Sequence, residues 1–100
     1  MTGNHFPQAI QTQLISRGIY DASWVITETM HHVQGCAVNY RAHVEARRDM
    51  GGTFAADYCG ALDMCAAMAS PIREEAEEMC RAAVSAHLAR CILSGGQTPS

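Results

Sequence analysis

The chain contains no lysine: all seven basic residues are arginine, set against ten carboxylates, for a net charge of −3. An acidic balance of this kind removes the main driving force for non-specific nucleic-acid binding. Charged residues of both signs make up only 17% of the sequence, below the rough quarter usual in globular proteins. So low a charged fraction leaves surface that a partner, or a second copy, is expected to cover. Aromatic residues are few, at 6%. No apolar run approaches the ~20 residues that a membrane-spanning helix needs, so no membrane association is expected. Residues 1–20 carry neither a basic n-region nor an apolar h-region, and no secretory leader is expected there. Five cysteines cannot all pair within one chain. Reduced thiols in a cytoplasm are the simplest expectation.

What is present is alanine, with 16 copies against four leucines and two phenylalanines. Alanine has the best helix propensity and lets helices approach closely. No segment reads as β-branched clusters in period-two alternation, so a sheet is not expected. The predicted fold is therefore all-α, a small four-helix bundle over residues 1–93 with a flexible tail at 94–100. The first helix is predicted over Pro7–Ser16, with Gly18 as its stop. A long second helix follows Asp21, over residues 22–50, and Gly35 is its weak point. It carries Ile26, Met30, Val33, Ala37, Tyr40 and Val44 as a bundle seam at spacings of four and three. Gly51-Gly52 stops it. A third helix is predicted over 54–69 and a fourth over 71–93, introduced by Ser70 as N-cap and Pro71 at the first position.

The third segment carries the functional expectation. Of its 16 residues from Phe54 to Ala69, 13 are apolar, and Asp57 and Asp63 are its only charges. A helix apolar all round needs cover on more than one side. The sequence therefore predicts a non-enzymatic interaction protein of inhibitor or adaptor type, fit for a phage or mobile-element product that blocks a host complex. It would bind a protein partner, or itself as a homodimer, through segment 54–69 and the back of segment 22–50. Trp24, aligned with Val38 on that back face, is a candidate anchor because tryptophan is enriched among interface hot spots. Met64 is the cleanest apolar probe of the surface, Leu62 lying nearer the intrachain seam. Asp57, Asp63, Glu74 and Glu78 supply acidic contacts for a basic partner. Carboxylates in the first turn of a helix, as in Glu74-Glu75 and Glu77-Glu78, are also favoured by the helix dipole alone.

The alternative is a metal-binding bundle. Cys80, His87 and Cys91 share one face of the fourth segment, and Cys65 or Cys59 would complete a tetrahedral set for Zn or Cu(I). Core packing explains the same residues without metal, since cysteine behaves as a small hydrophobe. His32, Cys36, Asn39 and His43 along the second segment are a weaker set. Glu28-Thr29-Met30-His31 matches the Glu-x-x-His element of di-iron bundles, but a second copy of the motif is absent. No nucleophile elbow, glycine-rich phosphate loop or paired-carboxylate motif occurs, so no enzymatic activity is expected.

Overall fold

Residues 3–31 and 35–94 are described by a computed structural model of the chain. Strand β1 (Asn4–His5) leads into helix α1 (Gln8–Ile15). Three long strands follow, β2 (Ile19–His31), β3 (Ala37–Arg48) and β4 (Thr53–Asp63). A short helix α2 (Cys65–Ala69) and a long helix α3 (Arg73–Leu93) complete the chain. The strands form one antiparallel sheet in the order β1-β2-β3-β4. This overturns the expected all-α four-helix bundle. Helices form near both ends, but β2 and β3 stand in place of the expected helix over 22–50, and of the expected helix over 54–69 only Cys65–Ala69 is helical. Of the expected tail, only Ser94 is described, and residues 95–100, His32 and the seam residue Val33 lie outside the described residues.

The reason lies in competing periods. Between Asn39 and Arg47 in β3, polar residues occupy every odd position. Tyr40, Ala42, Val44 and Ala46 alternate with them and are buried. That is a strand with one wet face. The same apolar residues also satisfy a 4-3 helical spacing, which is how the seam arose. β2 is rich in Ile, Tyr, Trp, Val and Thr, types that favour a pleated surface over a helix. In β4, alanines stand on both faces and erase the contrast between inside and outside. Gly35 and Gly51 have φ of +82° and +86°; they make turns rather than a helix flaw and a helix stop. At the β3–β4 hairpin, Gly51 N–H donates to Arg48 O at 3.1 Å and Arg48 N–H donates to Gly52 O at 2.9 Å. A left-handed glycine in a three-residue hairpin loop closes such a turn.

One face of the sheet is covered. Helix α3 lays Val84, Leu88, Ala89 and Ile92 on it, and α1 adds the fully buried Leu14. Ala22, Ala42 and Ala46 face this layer from the strands and let the helices come close. Fully burying a Leu side chain is worth ~1.5–3 kcal/mol relative to leaving it exposed, so Leu14 and Leu88 are the chief apolar ties between the layers. The opposite face is open, with rows such as Val25–His43–Asp57 and Glu28–Arg41–Cys59 across β2, β3 and β4. Two register irregularities interrupt β2, between Tyr20 and Ser23 and between Ile26 and Glu28. At the first, Asp21 has φ +55° and pairs with Arg47 at 2.7 Å.

Cys36 and Cys65 form a disulfide, with Cα atoms 5.1 Å apart. It ties the start of β3 to α2, beside the hydrogen bond from Met64 N–H to Cys36 O at 2.8 Å. The expectation of wholly reduced thiols is corrected by this pair, and with it goes the ground for a cytoplasmic setting. No helix among the described residues is long and apolar enough to cross a membrane.

Candidate functional site

All the buried residues of α3 fall between Val84 and Ile92. The first half of the helix therefore rests less closely on the sheet than the second, and a groove of about 630 Å³ opens there. Its floor is the covered face of the sheet, with Trp24 and Ile26 from β2, Val38 and Tyr40 from β3, and Leu62 from β4. Met64, Ala67 and Met68 close it on the α2 side, and Ala76, Cys80 and Val84 line the α3 wall. Arg73, Glu77 and Arg81, one helical turn apart, place both signs of charge along the α3 side. Small α3 residues at positions 76 and 80, where a Leu would fill the space, keep the groove open. Clefts of ~300–1,000 Å³ with apolar walls and a few polar groups are the usual form of binding sites.

Three of the sequence-predicted partner residues line this groove: Trp24, Val38 and Met64. None stands on an outer helix face as expected. Trp24 is 3% exposed beneath α3, and its indole Nε1–H donates to Ser85 Oγ at 2.9 Å. Val38 and Met64 are half-buried. The four acidic residues lie elsewhere. Asp57 sits on the open face, 2.8 Å from His43 Nδ1. Asp63 accepts the Cys65 N–H at 2.9 Å, and Glu78 pairs with Arg81 at 2.9 Å. Glu74 is exposed in the first turn of α3. Sequence reasoning missed Ile26, Tyr40 and Leu62 as groove residues. Read as strands, all three fall on the covered face.

The alternative metal set is dispersed. Cys65 is committed to the disulfide, so it cannot serve as a thiolate in this form. Cys80 Sγ lies 3.4 Å from Met64 Sδ, two helical turns from His87. Cys59 is exposed on the open face of β4. Only Cys91 stands by His87, with Sγ 3.6 Å from Nε2. No group of three or more His, Cys, Asp or Glu able to hold a metal occurs among the described residues. Glu28-x-x-His31 lies in a strand, where the helical i, i+3 face it needs does not exist.

His87 is instead part of a small polar bridge. Its Nδ1 is 2.6 Å from Tyr40 Oη, with the rings edge to face at 5.8 Å. Burial, then the nearby Cys91, pushes the Tyr40 hydroxyl up to about 12. A protonated Tyr40 donates to Nδ1, which leaves the Nε2 proton directed at Cys91. In that tautomer the imidazole nitrogen facing the thiol already carries a proton and cannot take another from it. Burial and the Arg90 charge hold His87 below its ordinary pKa. Gly60 makes room for the bridge: a Cβ there would lie 2.6 Å from His87 Cε1 and 2.7 Å from Tyr40 Oη. Nearby, Tyr58 Oη is buried with no hydrogen-bond partner among the described residues.

On the open face, His43 lies between Asp57 and Glu45, the latter 3.3 Å away. Hydrogen bonds to these carboxylates raise its pKa. No family model, no curated protein and no solved structure matches this chain.

Proposed function

We infer that this is a non-catalytic interaction module, and that the groove between the sheet and α2–α3 receives an apolar segment of a partner protein. The observation that carries this reading is the convergence of Trp24, Ile26, Val38, Leu62, Met64 and Val84 on one open cleft. An amphipathic helix laid in such a groove buries its apolar face, with its polar face toward solvent. Methionine suits the role, because its flexible thioether adapts to differently shaped side chains. Met64 and Met68 both line the groove, and Met68 is 70% exposed. Arg73, Glu77 and Arg81 supply rim charges that orient the incoming segment. The segment predicted to bind, 54–69, contributes Leu62, Met64, Ala67 and Met68, although as strand and short helix rather than one long helix.

Trp24 is the sole tryptophan and lines the groove, so its emission reports occupancy. Titration with an amphipathic helical peptide bearing leucines at every third or fourth position should shift Trp24 emission and saturate. The same peptide with asparagine in place of leucine should not. Met64→Glu should abolish the shift while far-UV circular dichroism stays unchanged. A folded Met64→Glu protein that binds as wild type contradicts the reading.

A further inference from the structure

The two walls of the groove are held very differently. α3 is tied to the sheet by the buried side chains of Val84, Leu88, Ala89 and Ile92. On the opposite side, α2 has Ala67 as its one buried residue, and Met64 at its N-cap makes no side-chain capping bond. Ala67 presents a single methyl group and stands outside the apolar cluster formed by the other buried hydrophobic residues. At five residues, α2 is also far below the ~12–15 that a helix needs to persist alone. Side-chain packing therefore does little to hold this wall in place.

What fixes α2 is its first residue. Cys65 is bonded to Cys36, which directly precedes β3. At the same point Met64 N–H donates to Cys36 O at 2.8 Å, a bond that exchanges against water and adds little net hold by itself. The Cys65 N–H bond to Asp63 joins residues two apart and shapes the turn without anchoring it to the sheet. Leu62 and Asp63, just before, are held separately by ladder pairing with Val38 and Ala37. The part of the wall that depends on the disulfide therefore begins at Met64. Cys65 is exposed and Cys36 half-buried, so the S–S bond is open to a reductant.

We propose that the Cys36–Cys65 disulfide is a redox-operated latch on the groove: a dithiol reductant cleaves it, α2 leaves its seat, and the wall formed by Ala67 and Met68 is lost. Its effect on binding rests on the reading of this groove as the partner's site. One thiolate of the reductant attacks the exposed Cys65 Sγ, the bond to Cys36 Sγ breaks, and Cys36 leaves as a thiolate that takes up a proton. The reductant's second thiolate then attacks its own sulfur in the mixed disulfide and releases Cys65 as a thiol. Two electrons and two protons pass to the protein, and the reductant departs as its own disulfide. The sheet and α3 keep their shared core in both states, so the change is confined to the α2 side.

Two measurements on the full chain, oxidised and after dithiothreitol, test this. In the first, the leucine-bearing amphipathic peptide is titrated against Trp24 emission. A binding-competent fraction of about one tenth raises the apparent Kd about tenfold, and a change of that order is expected on reduction. Cys36→Ser with Cys65→Ser should bind as the reduced wild type does and ignore dithiothreitol, with folding checked by circular dichroism. In the second, hydrogen exchange is followed by NMR. The amides of Met68 and Ser70 donate to Met64 O and Ala67 O; they should lose their protection on reduction while the amides of β3 remain protected. Met68 and Ser70 amides that stay protected after reduction overturn the latch. So does a Kd unmoved by reduction, or a loss of protection in β3 together with α2. A peptide that fails to bind even the oxidised chain counts against the interaction reading, and exchange at α2 then decides the latch alone.

Discussion

Trp24 on β2 and Ser85 on α3 are joined by a buried hydrogen bond of 2.9 Å, the indole N–H donating to the hydroxyl. It fixes the point at which α3 leaves its close packing with the sheet, and so marks the inner end of the groove. Ser85 is 2% exposed, so no water replaces it when the hydroxyl is removed. Ser85→Ala leaves the indole N–H unsatisfied, at a cost of ~1–3 kcal/mol. For a domain of this size that lowers Tm by roughly 4–8 °C per kcal/mol. Thermal and urea denaturation measure both, and an unchanged midpoint would show that the bond does not hold the layers.

Gly60 is required by the Tyr40–His87 bridge rather than by its backbone conformation. The Cβ of Gly60→Ala would meet two ring systems, neither of them a flexible side-chain end. Overpacking of this kind costs ~1–3 kcal/mol. Gly52→Ala is the contrast, since the nearest atom to its Cβ is Arg48 Cδ at 3.9 Å. Denaturation should show a clear loss for Gly60→Ala and little for Gly52→Ala.

His87 and His43 give stability opposite dependences on pH. His87 is held below its ordinary 6.5, first by burial and then by Arg90, so the unfolded chain binds its proton more readily. Its contribution is complete above 6.5 and is lost as pH falls through the lowered folded value. His43 is raised by hydrogen bonds to Asp57 and Glu45. Its contribution is present below 6.5 and is lost as pH rises through the raised folded value. One third of the His43 side chain is exposed, so solvent screens its effect, which should be the smaller. Unfolding free energies measured against pH should therefore fall less steeply on acidification for His87→Gln than for wild type. His43→Gln should fall more steeply.

The Cys36–Cys65 disulfide spans a sequence separation of 29 residues and encloses the β3–β4 hairpin. Loop-closure entropy for a ring of this size corresponds to ~3–4 kcal/mol of stabilisation. Cys36→Ser with Cys65→Ser should lower the urea midpoint accordingly. Reduction of the wild type should lower it by a similar amount and leave the double variant unmoved.

The ends of the chain were readable. Pro7 immediately precedes α1 and Glu74-Glu75 fall in the first turn of α3, because such signals act locally, but α3 begins at Arg73 with Ile72, not Ser70, at its N-cap. The middle was misread for a physical reason. Tyr40 and Val44 are four apart, which satisfies a strand's period of two and approximates one helical turn. Only the odd-numbered Asn39, Arg41, His43, Glu45 and Arg47 separate the two. In β4, Ala55 and Ala61 face solvent where a polar residue would have revealed the strand. The sparse charge of 54–69 is what suggests a surface in need of cover. That segment supplies part of the groove through Leu62, Met64, Ala67 and Met68. Trp24 stands out by residue type and by its alignment with Val38 on a helical back face, and its burial under α3 depends on strand pairings that local sequence does not encode.

Amide chemical-shift mapping by NMR tests the groove most directly. On titration with the leucine-bearing amphipathic peptide, the largest shifts should fall on Trp24, Val38, Leu62, Met64, Met68 and Cys80, with the Trp24 indole N–H among them. Shifts confined to the open face around His43, or no shifts at saturating peptide, would contradict the assignment of this cleft as the binding site.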